Sequence, residues 1–310
     1  AKKYYRSNKS VELMSKRKWA LVAATLVSII YGVTFTIAKD VMPEYVEPFG
    51  FISMRVGGSV LLFWLISFFG PKEKIAKEDF PRIIAAAFFG VAFNMLTFFK
   101  GLSYTSPIMG AVLMVTTPMI VLVLSAILMK ERMENRKIIG IILGLAGTVA
   151  LILYGKSIVN APNAMLGNLL VFVNAVSYGF YLIIVKKLMD KYNVFTFVKW
   201  IYTFGFIMVL PFGWNEFNAL DFTNLPIDII WKIAFVVVVS TFLTYLLNLV
   251  SMRELKPTTV AVFIYLQPLF ATVFAVSLGK DDLSWVKLLS AALIFLGVYL
   301  VTQKRSLKSE

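Results

Sequence analysis

Ten stretches of apolar residues, almost free of charge, set the terms for everything this chain of 310 residues can fold into. They run Trp19–Ala38, Phe49–Phe69, Ile83–Phe99, Ser106–Met129, Ile138–Gly155, Ala164–Val185, Phe195–Gly213, Ile229–Met252, Pro257–Gly279 and Trp285–Gln303. A helix needs about 20 apolar residues to cross the hydrocarbon layer, so each is read as a transmembrane helix. Only Arg55, Lys199, Lys232 and Lys287 carry charge inside these limits, and the last three lie near segment ends, where a lysine can snorkel. Hydrophobic residues make up 59% and charged residues 15% of the chain, which overrides the two soluble domains its length would otherwise suggest. Trp19–Ala38 is longer than the apolar region of a signal peptide and lacks a small-residue cleavage pattern, so it too is read as a span.

Function classes fall away on composition. With no cysteine there is no disulfide framework, thiolate nucleophile or Cys-ligated zinc. With no histidine the commonest general base and metal ligand are gone. No G-x-S-x-G, H-E-x-x-H, Walker A loop or intramembrane Asp pair is present, so an enzyme is not expected, and neither is a metal or cofactor. The net charge of +14 raises nucleic acid as a partner, but the 31 Lys and Arg distribute by side of the membrane. Placed on alternate faces, 23 fall on one side and 6 on the other, leaving Arg55 and Lys199. That split is a positive-inside pattern, so both termini are expected in the cytoplasm and the charge is topology rather than a nucleic-acid footprint.

Residues 107–152 align with 257–302 without a gap at an offset of 150. Pro107 meets Pro257, Pro118 meets Pro268, and Ala111, Val112, Val123, Leu128, Lys130, Lys137, Leu143 and Gly147 also meet identical residues. Upstream, Tyr31-Gly32 meets Tyr178-Gly179 and Lys39 meets Lys186 at an offset of 147. Each half then holds five spans, and an odd number turns the second half over in the membrane. The expected fold is an all-α polytopic membrane protein of ten transmembrane helices in two inverted five-helix repeats. Its parts are a cytoplasmic tail 1–18, repeats 19–155 and 162–303, and a cytoplasmic tail 304–310.

Gly101-Leu102-Ser103-Tyr104-Thr105-Ser106-Pro107 resembles the A-L-x-Y-T-S-A segment of EamA-type carriers of the drug/metabolite transporter superfamily. Thr117-Pro118-Met119 and Lys130-Glu131-Arg132 look like that family's S-P-L and G-E-R, and Tyr265-Leu266-Gln267-Pro268-Leu269-Phe270-Ala271 is similar to its L-E-P-V-x-A. The resemblance covers both halves. It implies a ten-helix inner-membrane carrier of small metabolites, often an exporter of amino acids. Two residues depart from the pattern: Lys130 stands where the family has glycine, and Gln267 where it often has a proton-carrying glutamate.

Pro118 and Pro268 lie mid-span at matching places, each freeing a carbonyl one turn earlier, and are candidate hinges. Polar residues form helical stripes. Asn94, Thr97, Phe98 and Gly101 share a face, as do Thr241, Thr244, Tyr245 and Asn248; Asn174, Tyr178 and Tyr181 line a third, and Ser28, Tyr31 and Gly32 a fourth. A cavity is expected between the first, third, fourth, sixth, eighth and ninth spans. The candidate binding residues are Tyr31, Arg55, Asn94, Phe98, Thr117, Tyr178, Tyr181, Thr244, Tyr245, Asn248 and Gln267. The bland alternative for each stripe is hydrogen bonding between helices.

Arg55 lies about six residues inside its span, where exposure to lipid costs several kcal/mol. It is expected to bind a substrate carboxylate bidentately, or else to reach the outer headgroups and pair with Glu44 or Glu47. Since no Asp or Glu lies in a span core, the leading expectation is a carrier of amino acids or related zwitterions, working as a monomer in the bilayer by alternating access. A cationic-drug/proton antiporter of the same superfamily is the alternative, and a channel would be told apart by the absence of counterflow.

Overall fold

The computed structural model describes residues 2–42, 44–104, 113–153, 163–221, 224–277 and 284–303. Among them every regular element is helical. In chain order these are α1 (Lys2–Val41), α2 (Pro48–Ser67), α3 (Phe80–Ala87), α4 (Phe93–Tyr104), α5 (Thr117–Leu128), α6 (Asn135–Leu153), α7 (Ala164–Met189), α8 (Val194–Asn218), α9 (Ile227–Phe235), α10 (Thr244–Glu254), α11 (Pro257–Val262), α12 (Leu266–Ser277) and α13 (Trp285–Thr302). Among the described residues, seven helical runs are long and apolar enough to cross a membrane: Pro48–Ser67, Lys77–Gly101, Met165–Met189, Val194–Asn218, Ile227–Glu254, Pro257–Phe274 and Trp285–Thr302. The protein is therefore a polytopic, all-helical membrane protein. The apolar helix Thr117–Leu128 is shorter, and residues 106–112 of the expected fourth span lie outside the described residues. So do residues 154–155, 162, 278–279 and 304–310, where several expected boundaries fall.

Helix ends follow local chemistry. Proline opens α2 and α11 at the first turn, where a missing N–H costs nothing. Asn193 and Ser284 cap α8 and α13, accepting from the N–H groups of Phe195 (3.1 Å) and Lys287 (3.4 Å). The first helix differs from expectation. It is helical from Lys2, so the segment expected as a tail continues the helix of the first span. No proline or glycine interrupts the chain between Lys2 and Tyr31 to stop it.

Two long rods are not uniformly α-helical. A π-helical stretch at Phe88–Ala92 joins α3 to α4, and another at Val236–Leu243 joins α9 to α10. Adding 150 to the first places it at 238–242, inside the second. In the second, Thr241 Oγ1 and Thr244 Oγ1 donate to carbonyls five residues back, on Val236 (2.7 Å) and Val239 (2.8 Å). In the first, the Gly90 carbonyl accepts from Tyr245 Oη of α10 at 2.6 Å. Backbone groups loosened by the wider turn thus find partners without water, as a bilayer interior requires.

The proline helices are interrupted at matching places as well. α5 follows a turn at Val115–Thr116, and a 3-10 turn at Phe263–Tyr265 separates α11 from α12. Met114 has lost the amide that Pro118 would have supplied, and its carbonyl accepts from Thr117 Oγ1 at 2.5 Å.

Packing pairs the helices in a pattern that survives exchange of the two halves. α2 packs on α8 and α6 on α13; α4 packs on α7 while α10 packs on α1; α5 packs on α7 while α12 packs on α1. The α6–α13 contact is backbone on backbone: a Cβ at Gly297 would sit 2.5 Å from the Gly140 carbonyl. Small residues are what allow membrane helices this close.

Candidate substrate cavity

Four helical rods converge on one small void. It is lined by Ala24, Val27, Ser28 and Tyr31 of α1, Tyr178 of α7, Asn248 of α10, Val260 of α11, Phe263 and Ile264 of the 3-10 turn, and Gln267 of α12. Its volume is about 20 Å³, room for about one water molecule. Of the candidate residues, Tyr31, Tyr178, Asn248 and Gln267 are brought together at this void. Asn248 Nδ2 donates to Tyr178 Oη at 2.8 Å, and Ser28 Oγ donates to the Phe263 carbonyl at 2.8 Å, tying α1 to the interruption before Pro268.

Behind this wall lies a chain of tyrosines. The ring centroids of Tyr178 and Tyr181 are 5.9 Å apart, those of Tyr181 and Tyr245 6.1 Å, and those of Tyr202 and Tyr245 5.0 Å. Tyr181, Tyr202 and Tyr245 are buried. Gly90 makes room for Tyr181, whose ring would lie 2.1 Å from any Cβ placed there.

Arg55 sits in the same core. It is 9% exposed, its Nε donates to Thr241 Oγ1 at 3.1 Å, and its Cζ lies 6.0 Å from the Phe51 ring centroid. Among the described residues no carboxylate pairs with it, and Glu44 and Glu47 are exposed. Its charge is within electrostatic reach of the hydroxyls of Tyr31, Tyr202 and Tyr245. Through Thr241 the guanidinium is tied to the rod whose Asn248 lines the void.

The other expected residues lie elsewhere. Asn94 and Asn174 exchange hydrogen bonds through each other's backbone carbonyls, at 3.3 and 2.7 Å, which joins α4 to α7. Phe98 packs edge-on against Phe99. Thr117 and Thr244 spend their hydroxyls on their own helices. Pro118 is buried and Pro268 half-buried, each at the start of a proline helix, with the Pro268 carbonyl accepting from Thr272 Oγ1 at 2.9 Å. Among the described residues the void is lined by the first, sixth, eighth and ninth expected spans, and none of its lining residues comes from the third or the described part of the fourth. Tyr202 and the apolar residues Val27, Phe263 and Ile264 were not among the expected site residues. A tyrosine in the middle of an apolar span was the signal available for Tyr202.

The EamA-like transporter family profile matches residues 18–153 and again 165–303. The chain belongs to the EamA-like transporter family. An Archaeoglobus fulgidus protein named as an uncharacterized transporter is 28% identical, over 93% of this chain and 100% of that one. Uncharacterized transporter YetK of Bacillus subtilis is 24% identical, over 94% and 89%. A solved crystal structure superposes on this EamA-family chain with a TM-score of 0.75, covering 92% of this chain and 97% of the other. At 15% identity that likeness speaks for the fold alone.

Proposed function

We propose that this transporter carries amino acids or related zwitterions across the cytoplasmic membrane, in the direction of export, by exposing the central cavity alternately to the two sides. The observation that carries the reading is Arg55: a buried cation, without a carboxylate partner among the described residues, hydrogen-bonded through Thr241 to the rod whose Asn248 lines a void walled by neutral hydrogen-bonding groups. Burying a lone charge is expensive, and a bound carboxylate supplies the missing partner. The neutral walls of Tyr31, Tyr178, Asn248 and Gln267 suit the rest of a small polar molecule. A lipophilic cation would be repelled by Arg55, and no span core offers an acid to attract it.

The void has room for about one water, so loading a substrate requires the bundle to open. The architecture proposed for that motion is ten spans in two inverted repeats, 19–155 and 162–303, with tails 1–18 and 304–310 in the cytoplasm and a monomer as the working unit. Matching π segments, matching interruptions before Pro118 and Pro268, and a packing pattern that survives exchange of the halves support it.

The test compares an amino acid with its carboxyl-amide analogue in wild type and Arg55→Gln. A charge-assisted fork contributes about 1.5–3 kcal/mol, so the substitution is expected to weaken the amino acid roughly 10- to 150-fold and the amide little. Equal weakening of both would assign Arg55 a structural role.

A further inference from the structure

Glu131 lies between α5 and α6, yet its side chain is 5% exposed. It accepts from Lys137 Nζ at the start of α6, which is 7% exposed, and from Thr258 Oγ1 of α11 at 3.0 Å; Lys256 Nζ stands 3.4 Å away. Lys137 belongs to the first half of the chain, Lys256 and Thr258 to the second. One carboxylate thus ties the ends of both proline helices together, where α5 also packs on α11. Burial alone would push its pKa up, but the hydrogen bond and charge of Lys137, with Lys256 and Thr258, outweigh it and hold it below the usual carboxylate range.

The carboxylate is placed by the backbone before it. The Met129 and Glu131 N–H groups both donate to the Ser125 carbonyl, at 3.0 and 3.2 Å, and Lys130 between them takes the left-handed conformation at φ 53°. The left-handed residue ends the helix and turns the chain so that Glu131 comes back against α11.

We infer that Glu131, with Lys137, Lys256 and Thr258, is the latch that closes the cytoplasmic side of the cavity. Between the latch and the void runs α11, whose Val260 lines the void. Opening this side requires α5 and α11 to part, and the bonds from Thr258 and Lys256 must break while the Glu131–Lys137 pair stays within its own half. The inference rests on the alternating-access reading but not on the identity of the substrate.

The chain contains no cysteine, so a single reporter can be added to the otherwise native protein. Val260→Cys reports the void, and Ile141→Cys, buried at 1% exposure against α13, reports general loosening. Each is labelled with a membrane-impermeant maleimide from either face of oriented vesicles. Glu131→Gln is expected to raise cytoplasmic labelling of Val260→Cys about tenfold, lower external labelling, and leave Ile141→Cys protected. Thr258→Val, which leaves the Glu131–Lys137 pair intact, is expected to act in the same direction with a smaller rise, and it carries the test if Glu131→Gln does not fold. Unchanged labelling with Thr258→Val, a rise from the external face, or a parallel rise at Ile141→Cys would overturn the inference. Because no transported substrate enters the measurement, its result is separable from the amino-acid reading.

Discussion

Lys130 carries the only positive φ among the described non-glycine residues. The left-handed region crowds Cβ against the following carbonyl and costs a non-glycine residue roughly 1–2 kcal/mol, part of which glycine gives back through its freer unfolded chain. Lys130→Gly is therefore expected to stabilise the protein by about 1 kcal/mol, read as a higher unfolding midpoint in detergent. An unchanged midpoint would mean that the lysine side chain recovers the strain elsewhere. The sequence already marked this position, since Lys130 departs from the glycine of the resembling G-E-R segment, but the reason lies in the backbone and not in the loop's composition. Glu131 was legible only as part of that motif. Its partners stand 6, 125 and 127 positions away, and no periodicity links them. Arg55 was legible as a lone charge inside a span. The sequence could not show that it is met by Thr241, because that threonine is turned by a π-helical segment that a hydropathy pattern does not register.

At the scale of elements, apolar length alone placed most of the described helices close to where they lie, while the first begins well before the expected Trp19. The π turns were not legible. They go with particular side-chain contacts: Tyr181 over Gly90 and Tyr245 on the Gly90 carbonyl in one, threonine hydroxyls reaching five residues back along the same rod in the other. A different contact between rods explains why the polar stripe on α4 does not reach the void. The stripe's Asn94 is committed to Asn174, an exchange of hydrogen bonds between helices, while the equivalent face of α10 turns Asn248 toward Tyr178. Gly90→Ala puts a methyl group into the Tyr181 ring and is expected to destabilise by about 1–3 kcal/mol. Adding Tyr181→Val in that background should recover part of the loss, which thermal unfolding of the two variants would show. A silent Gly90→Ala would mean that the ring does not hold the π turn in place.

For the whole molecule, membrane insertion followed directly from ten charge-poor stretches, and the family from motifs repeated in both halves; both have support in the helices and in the twofold profile match. The size and position of the void did not follow, because they are set by how rods from the two halves meet, and the void between them is only about 20 Å³. A carrier working by alternating access, as proposed, moves one site between the two faces, and a loaded site returns faster than an empty one. Counterflow in proteoliposomes measures this directly: radiolabelled amino acid is offered outside, with or without unlabelled amino acid trapped inside. The account predicts that trapped substrate accelerates entry of label and drives its transient accumulation above equilibrium, and that the trapped carboxyl-amide does so far less. Entry at the same rate whatever is trapped inside would contradict it and point to a channel.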